Sequence, residues 1–84
     1  MNQNRLIEIQ AFPNPVNDDL TFERSVFKNE GIVQIYNETG QLLDLKKILA
    51  GEEQLIIHFQ NYPKGVYFIE YTDKEIHQSI RIFR

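Results

Sequence analysis

Histidine and serine are the side chains of this 84-residue sequence best suited to metal binding or acid–base chemistry. His58 and His77 lie in different predicted strands, and the sequence has no cysteine that could join them as a ligand. A metal centre needs three or four converging ligands, and a nucleophile needs a positioned base. Ser25 and Ser79 lie in no nucleophile motif. We therefore interpret these residues as surface positions and expect no catalysis, metal or cofactor.

The aromatic residues allow a second kind of chemistry, which is stacking against sugars. Tyr67 and Tyr71 alternate with Ile69 along one strand pattern, so they are predicted to face the core with their hydroxyls at its rim. Tyr62 and Phe68 are the exposed candidates. If they line one flat face, the chain fits an adhesive or carbohydrate-binding β-sandwich module of a cell-surface protein, and this is the alternative hypothesis.

Composition excludes several other functions. The net charge is −3 and the basic residues are scattered, whereas nucleic-acid binding needs a basic face, so we expect no nucleic-acid partner. A hydrophobic content of 42% is enough for a folded core, and the length fits one domain. The absence of cysteine excludes a disulfide framework and a thiolate zinc site.

Short runs of alternating apolar and polar residues dominate the chain and predict strands. We predict an all-β fold, a compact antiparallel sandwich of the immunoglobulin-like kind with about seven strands. One segment, residues 42–55, also fits an amphipathic helix, but Gly51 and the preceding turn favour a strand.

A hairpin is predicted around the sequence NETG. Gly40 suits a turn position of positive φ, and Asn37 can bond its own backbone. Leu43 and Leu45 are predicted to share one face of the strand that follows.

Two of the three prolines stand one residue apart in the sequence AFPNPVNDDLTF. Proline forces the residue before it into an extended conformation, so Phe12 and Asn14 must be extended. Pro13 and Pro15 lack an N–H group and cannot continue a central strand. We predict a stiff bend that leaves the sheet. The polar residues 17–19 lack the twelve-residue loop of a calcium site and are interpreted as a turn.

The prolines belong to a longer series of motifs: FPNPVNDDLTF, VQIYNETGQLL, YPKGVYFIEY and a final basic strand IRIFR. This series resembles the type A C-terminal sorting domain of the type IX secretion system of Gram-negative bacteria, from about Phe12 to Arg84. The resemblance implies that residues 1–84 are a single sorting domain, excised from a larger secreted protein. One difference is that Arg81 and Arg84 stand where the family usually has lysine.

The resemblance implies a secretion signal that is not an enzyme. Its partners are expected to be a covalently linked N-terminal cargo and the outer-membrane secretion machinery, namely a β-barrel shuttle protein and a sortase-like peptidase that usually removes the domain. The protein is expected to be exported, to cross the periplasm and to reach the cell surface or the medium.

Recognition is expected to depend on the motif residues and the last strand. These candidates are Pro13, Asn14, Pro15, Gly40, Gly65, Tyr67, Ile80, Arg81, Ile82, Phe83 and Arg84. A strand at a sheet edge can add to a partner's sheet, or to a second copy as an edge-strand dimer. Arg81 is predicted to be the steady contact and Arg84 the free end of that strand.

Overall fold

The computed structural model describes residues 9–24 and 29–84, and these residues form seven β-strands. The strands are β1 (Ile9–Phe12), β2 (Asp19–Arg24), β3 (Gly31–Asn37), β4 (Leu42–Ile48), β5 (Gln54–His58), β6 (Val66–Thr72) and β7 (His77–Phe83). The segment that also fitted a helix therefore contains strand β4, as the strand interpretation predicted.

The strands form two antiparallel sheets. One sheet has the order β1-β2-β5 and the other has the order β4-β3-β6-β7. The predicted antiparallel sandwich is confirmed. In an immunoglobulin-like sandwich the first two strands share one sheet and the third strand lies in the other. Strands β1, β2 and β3 follow this order. Strand β4 then pairs with β3 in the larger sheet, so β4 and β7 are the two edges of that sheet.

Alternation along the strands builds the core between the two sheets. In β6, Tyr67, Ile69 and Tyr71 are buried as predicted, and each apolar side chain removed from water contributes about 1.5–3 kcal/mol. The buried hydrophobic residues are Val16, Leu20, Phe22, Val33, Ile35, Ile48, Ile57, Phe59, Tyr67, Ile69, Tyr71 and Ile82.

The prediction that Leu43 and Leu45 share one face of β4 is wrong. A bulge interrupts the pairing of β3 and β4 between Ile35 and Tyr36, and Leu43 is the residue that the register skips. Leu43 packs against the core, whereas Leu45 is 50% exposed. The extra residue changes the alternation along β4 at that point.

One end of the sandwich is closed by a buried arginine, and we call it the Arg24 end. Arg24 is only 1% exposed. Its Nε donates to the carbonyl of Glu52 at 2.8 Å, and Nη2 donates to the carbonyl of Leu49 at 2.8 Å. Its Nη1 donates to the hydroxyl of Tyr71 at 2.6 Å. The side chain therefore fastens the β4–β5 turn to both sheets.

The same network changes two pKa values. Burial, and then the 2.6 Å hydrogen bond that the Tyr71 hydroxyl donates to Asp73, raise the pKa of Tyr71 to about 12. Burial alone would raise the pKa of Asp73, but hydrogen bonds from Tyr71 and from the N–H groups of Glu75 and Ile76 outweigh it. The pKa of Asp73 therefore lies below its ordinary value, and the carboxylate stays charged beside Arg24.

Candidate recognition site

Most of the candidate residues meet at the opposite end of the sandwich, which we call the terminal end. Here β1 ends at Phe12, β6 begins at Val66 and β7 ends at Phe83. The β3–β4 turn lies at the same end, and Gly40 has a φ of 90° there, as predicted for a turn glycine. Ile80 lies further along β7, paired with the middle of β6.

The loop with the two prolines closes against the last residues of β7. Both peptide bonds that precede the prolines are cis. The Asn14 side-chain oxygen accepts a hydrogen bond from the N–H of Phe83 at 2.9 Å, and its Nδ2 donates to the carbonyl of Arg81 at 3.1 Å. The N–H of Val16 donates to the carbonyl of Phe83 at 2.8 Å. We call these three contacts the Asn14 cap.

The Asn14 cap lies on the outer edge of β7, which is the edge that faces away from β6. Gly65 and Arg84 exchange both of their backbone hydrogen bonds, at 3.0 and 2.9 Å. In an antiparallel pair such residues alternate with residues whose backbone groups point away from the neighbouring strand. Phe83 and Arg81 are therefore outward-pointing positions of β7. The Asn14 amide takes the place that a residue of a further strand would occupy beside them.

Arg84 is not the free end that the sequence predicted. Besides the exchange with Gly65, its Nε donates to the carbonyl of Tyr62 at 2.8 Å. Tyr62 belongs to the loop between β5 and β6. The buried Tyr67 contacts the same loop from the core side, because its hydroxyl donates to the carbonyl of Pro63. The prediction failed because it placed the Arg84 side chain without considering the carbonyl groups of this loop.

Arg81 is the exposed cation of the strand, and its role as the steady contact for a partner stays a prediction. Its guanidinium carbon lies 5.4 Å from the ring centroid of Phe83. Within residues 9–24 and 29–84, no carboxylate lies close enough to Arg81 to form an ion pair. Its charge therefore faces solvent beside the edge of the sheet.

A shallow cleft of about 650 Å³ lies beside the Asn14 cap. Pro15 and Phe83 line it on the side of the cap, and Lys64 and Arg84 supply cations along it, with Asp18 as an opposing charge. The cleft is formed by residues from both ends of the described sequence, so it exists only when the sandwich is folded.

Comparison with known proteins identifies the family of the chain. The family model of the secretion system C-terminal sorting domain matches residues 10–83. The chain belongs to this family. Comparison with curated proteins finds no match. Membership implies that the sorting domain is a secretion signal of an exported protein that interacts with secretion machinery, and the family is typically non-catalytic.

The histidines of the sorting domain lie on its surface, paired with carboxylates. His77 contacts Glu70 at 2.5 Å, and the Ser79 hydroxyl donates to the other oxygen of Glu70. Hydrogen bonds from His77 and then Ser79 hold the pKa of Glu70 below its ordinary value. The serine contacts the carboxylate and not the imidazole, so this group forms no nucleophile and base.

Other sites are not formed by the part of the sorting domain that the structure describes. His58 contacts Asp19 at 2.7 Å on the surface of the smaller sheet. The described residues contain no cluster of three or more potential metal ligands. No helix within them is long and apolar enough to cross a membrane. Ser25 lies outside the described residues.

The two exposed aromatic candidates do not line one face. Tyr62 stacks on Tyr67 with centroids 5.6 Å apart and meets Phe59 edge-on at 5.2 Å. Phe68 alternates with the buried Tyr67 and Ile69, so it lies on the outer face of the larger sheet. The condition set for the carbohydrate-binding hypothesis is therefore not met.

The motif predicted Asn14 as a recognition residue but did not predict what it binds. Two contacts were also not predicted, namely the Val16 N–H that completes the cap and the Tyr62 carbonyl that holds Arg84. One signal was available: an asparagine between two residues without N–H groups has few backbone partners nearby, so its side-chain amide has to bond elsewhere.

Proposed function

We propose that these 84 residues are the C-terminal sorting domain of a larger exported protein and direct its N-terminal cargo across the outer membrane through the type IX secretion system. A β-barrel shuttle protein is the receptor, and a sortase-like peptidase then removes the domain at the cell surface. The domain itself catalyses no reaction and needs no cofactor.

The observation that carries this proposal is the family match over residues 10–83. The geometry supports a location for recognition, because the motif residues converge on the terminal end. We assign recognition to this surface. Its exposed or partly exposed members are Pro13, Asn14, Pro15, Gly40, Gly65, Arg81, Phe83 and Arg84. The buried Tyr67 and Ile82 and the half-buried Ile80 support it from the core side.

A surface of this kind is recognised as a folded object. The hydrogen bond between Asn14 and Phe83 joins residues 69 positions apart, so a linear peptide of the last strand lacks the Asn14 side of the surface. The proposal therefore includes a folded sorting domain at the moment of recognition.

The test is export of a fluorescent reporter with an N-terminal signal peptide and these 84 residues at its C-terminus. In a host with the secretion system, we expect the reporter at the surface or in the medium. The same reporter without the domain is expected to stay in the periplasm, as is the complete fusion in a host that lacks the system. Equal distribution of all three reporters would exclude the sorting function.

A further inference from the structure

The outer edge of β7 is only partly covered by the residues that the structure describes. His77, Ser79 and Arg81 have the same outward parity as Phe83, so their backbone N–H and C=O groups point away from β6. The Asn14 cap occupies both groups of Phe83 and the carbonyl of Arg81. Within the part of the chain that the structure describes, nothing bonds the outward groups of His77 and Ser79 or the N–H of Arg81.

We propose that this open stretch of the β7 edge, at His77, Ser79 and Arg81, receives an extended strand of the secretion partner, and that the Asn14 cap ends the pairing at Arg81. This inference rests on the proposed sorting function and adds the position on β7 at which the partner strand pairs. Unpaired edges accept strands because each added residue exchanges backbone hydrogen bonds, while alternate side chains select the partner.

The side chains beside the open stretch indicate the chemistry of that partner. Glu70 already occupies the side chains of His77 and Ser79. The Arg81 side chain lies on the same face, and the contact described for it is the ring of Phe83. A carboxylate on the incoming strand, opposite Arg81, is the complement of this surface, because opposite charges on directly paired strands attract.

A second copy of the chain fits this edge less well. Antiparallel pairing of two β7 strands about Ser79 would place Arg81 opposite His77 of the other copy. Strand β7 has the sequence HQSIRIF and contains no acidic residue, so it offers Arg81 no carboxylate. The charge pattern therefore favours a different polypeptide, with an acidic residue in its strand.

The first test uses Ser79→Pro with Ser79→Ala as its control in the reporter fusion. Both variants lose the hydroxyl that contacts Glu70, but only proline removes the outward N–H and blocks the approach of a strand. Proline is tolerated at an edge where the N–H faces solvent, so pairing with β6 remains. We expect Ser79→Pro to be exported about tenfold less than Ser79→Ala, or worse, because the two variants differ in the backbone N–H and not in the lost hydroxyl.

The second test reverses the charge and does not touch the backbone. Arg81→Glu is expected to reduce export about tenfold, because a like charge would face the incoming carboxylate. Lys47→Glu is the matched control, since Lys47 is an exposed cation on β4, the other edge of the same sheet. We expect this control to be exported normally. If Ser79→Pro unfolds, as judged by circular dichroism, the Arg81 comparison decides alone.

The outcomes separate the two proposals. If the unmodified fusion is not exported, the sorting function itself fails. If the unmodified fusion is exported and the folded Ser79→Pro and Arg81→Glu variants are exported equally well, strand addition at β7 is wrong while sorting stands. Light scattering gives the remaining outcome, because a dimer of the purified domain that Ser79→Pro converts to a monomer would assign the edge to a second copy and overturn the proposal.

Discussion

The two ends of the sandwich each use an arginine to hold a loop, but they do so to different degrees. Arg24 is 1% exposed and donates to two carbonyl groups and the hydroxyl of Tyr71. Arg84 is only partly buried, and the side-chain bond described for it is the one to the carbonyl of Tyr62. The first arginine completes a network inside the protein, whereas the second lies at a surface.

This difference indicates that the two ends of the sandwich have different roles. A buried charged network destabilises the fold severely when one member is lost, because its partners remain desolvated without hydrogen bonds. A surface contact can open at little cost, since water replaces the lost partner. The Arg24 end therefore stabilises the sandwich, and the terminal end presents groups that a partner can reach.

The largest contrast is expected between the two arginines. Arg24→Met should lower the free energy of unfolding by about 3–5 kcal/mol, because the buried Tyr71 hydroxyl and two carbonyls of the β4–β5 turn lose their donor. Arg84→Met should cost only about 0.5–1.5 kcal/mol. Urea denaturation of both variants gives the comparison. Similar losses at the two sites would show that the ends do not differ in this way.

The next contrast uses two glycines. A Cβ on Gly31 would lie 2.5 Å from Cε1 of the buried Tyr71, so Gly31→Ala should cost about 3 kcal/mol at the Arg24 end. A Cβ on Gly40 meets no atom within 4 Å, and only its φ of 90° disfavours alanine, by about 1–2 kcal/mol. Thermal unfolding measures both. If Gly40→Ala were the more destabilising variant, the Arg24 end would be less tightly packed than described.

Alkaline pH should act on the Arg24 end through Tyr71. An unfolded tyrosine loses its proton near pH 10.0, whereas Tyr71 keeps its proton up to about 12 when folded. A raised folded pKa contributes stability below the unfolded value, and that stability is lost as pH rises through this interval. Tyr71→Phe should be less stable at neutral pH and should flatten the decline above pH 10.0. An unchanged slope, measured by urea denaturation at several pH values, would contradict the assignment.

The smallest effect is expected at the Asn14 cap. Asn14→Ala should lower global stability by only about 1 kcal/mol, because water can reach the exposed groups that it leaves. Hydrogen exchange of the Phe83 amide should nevertheless accelerate strongly. Asn14→Asp keeps an oxygen for that N–H but loses the donor to Arg81, so its Phe83 amide should exchange more slowly than in the alanine variant. Unaltered exchange in both variants would mean that the cap does not protect β7.

Local alternation predicted the strands and much of the core, because it depends on neighbouring residues only. It failed at Leu45, since a bulge adds one residue and no nearby residue type signals it. The burial of Arg24 had a signal that went unused: it follows Leu20 and Phe22 at spacing two, which places it on their inward face.

The residues of the candidate recognition site were predictable from the sequence, but their contacts with one another were not. Motif resemblance selected Asn14 and Phe83 separately, but their hydrogen bond depends on how the two sheets pack. Arg84 was wrongly predicted to be a free end for the same reason, because the carbonyl that holds it belongs to a loop 22 residues earlier in the chain. Partners this distant in sequence leave no local pattern.

The Asn14 cap also bears on solubility. A seven-residue edge strand such as β7 is as long as the segments of about six or seven residues that stack into aggregates when they are exposed. The cap covers the last positions of this edge. Among the described residues, the outward backbone groups of His77 and Ser79 and the N–H of Arg81 stay unbonded, and this stretch ends at the charged Arg81. If this edge receives a partner strand as proposed, the cap limits its association with other copies of the chain.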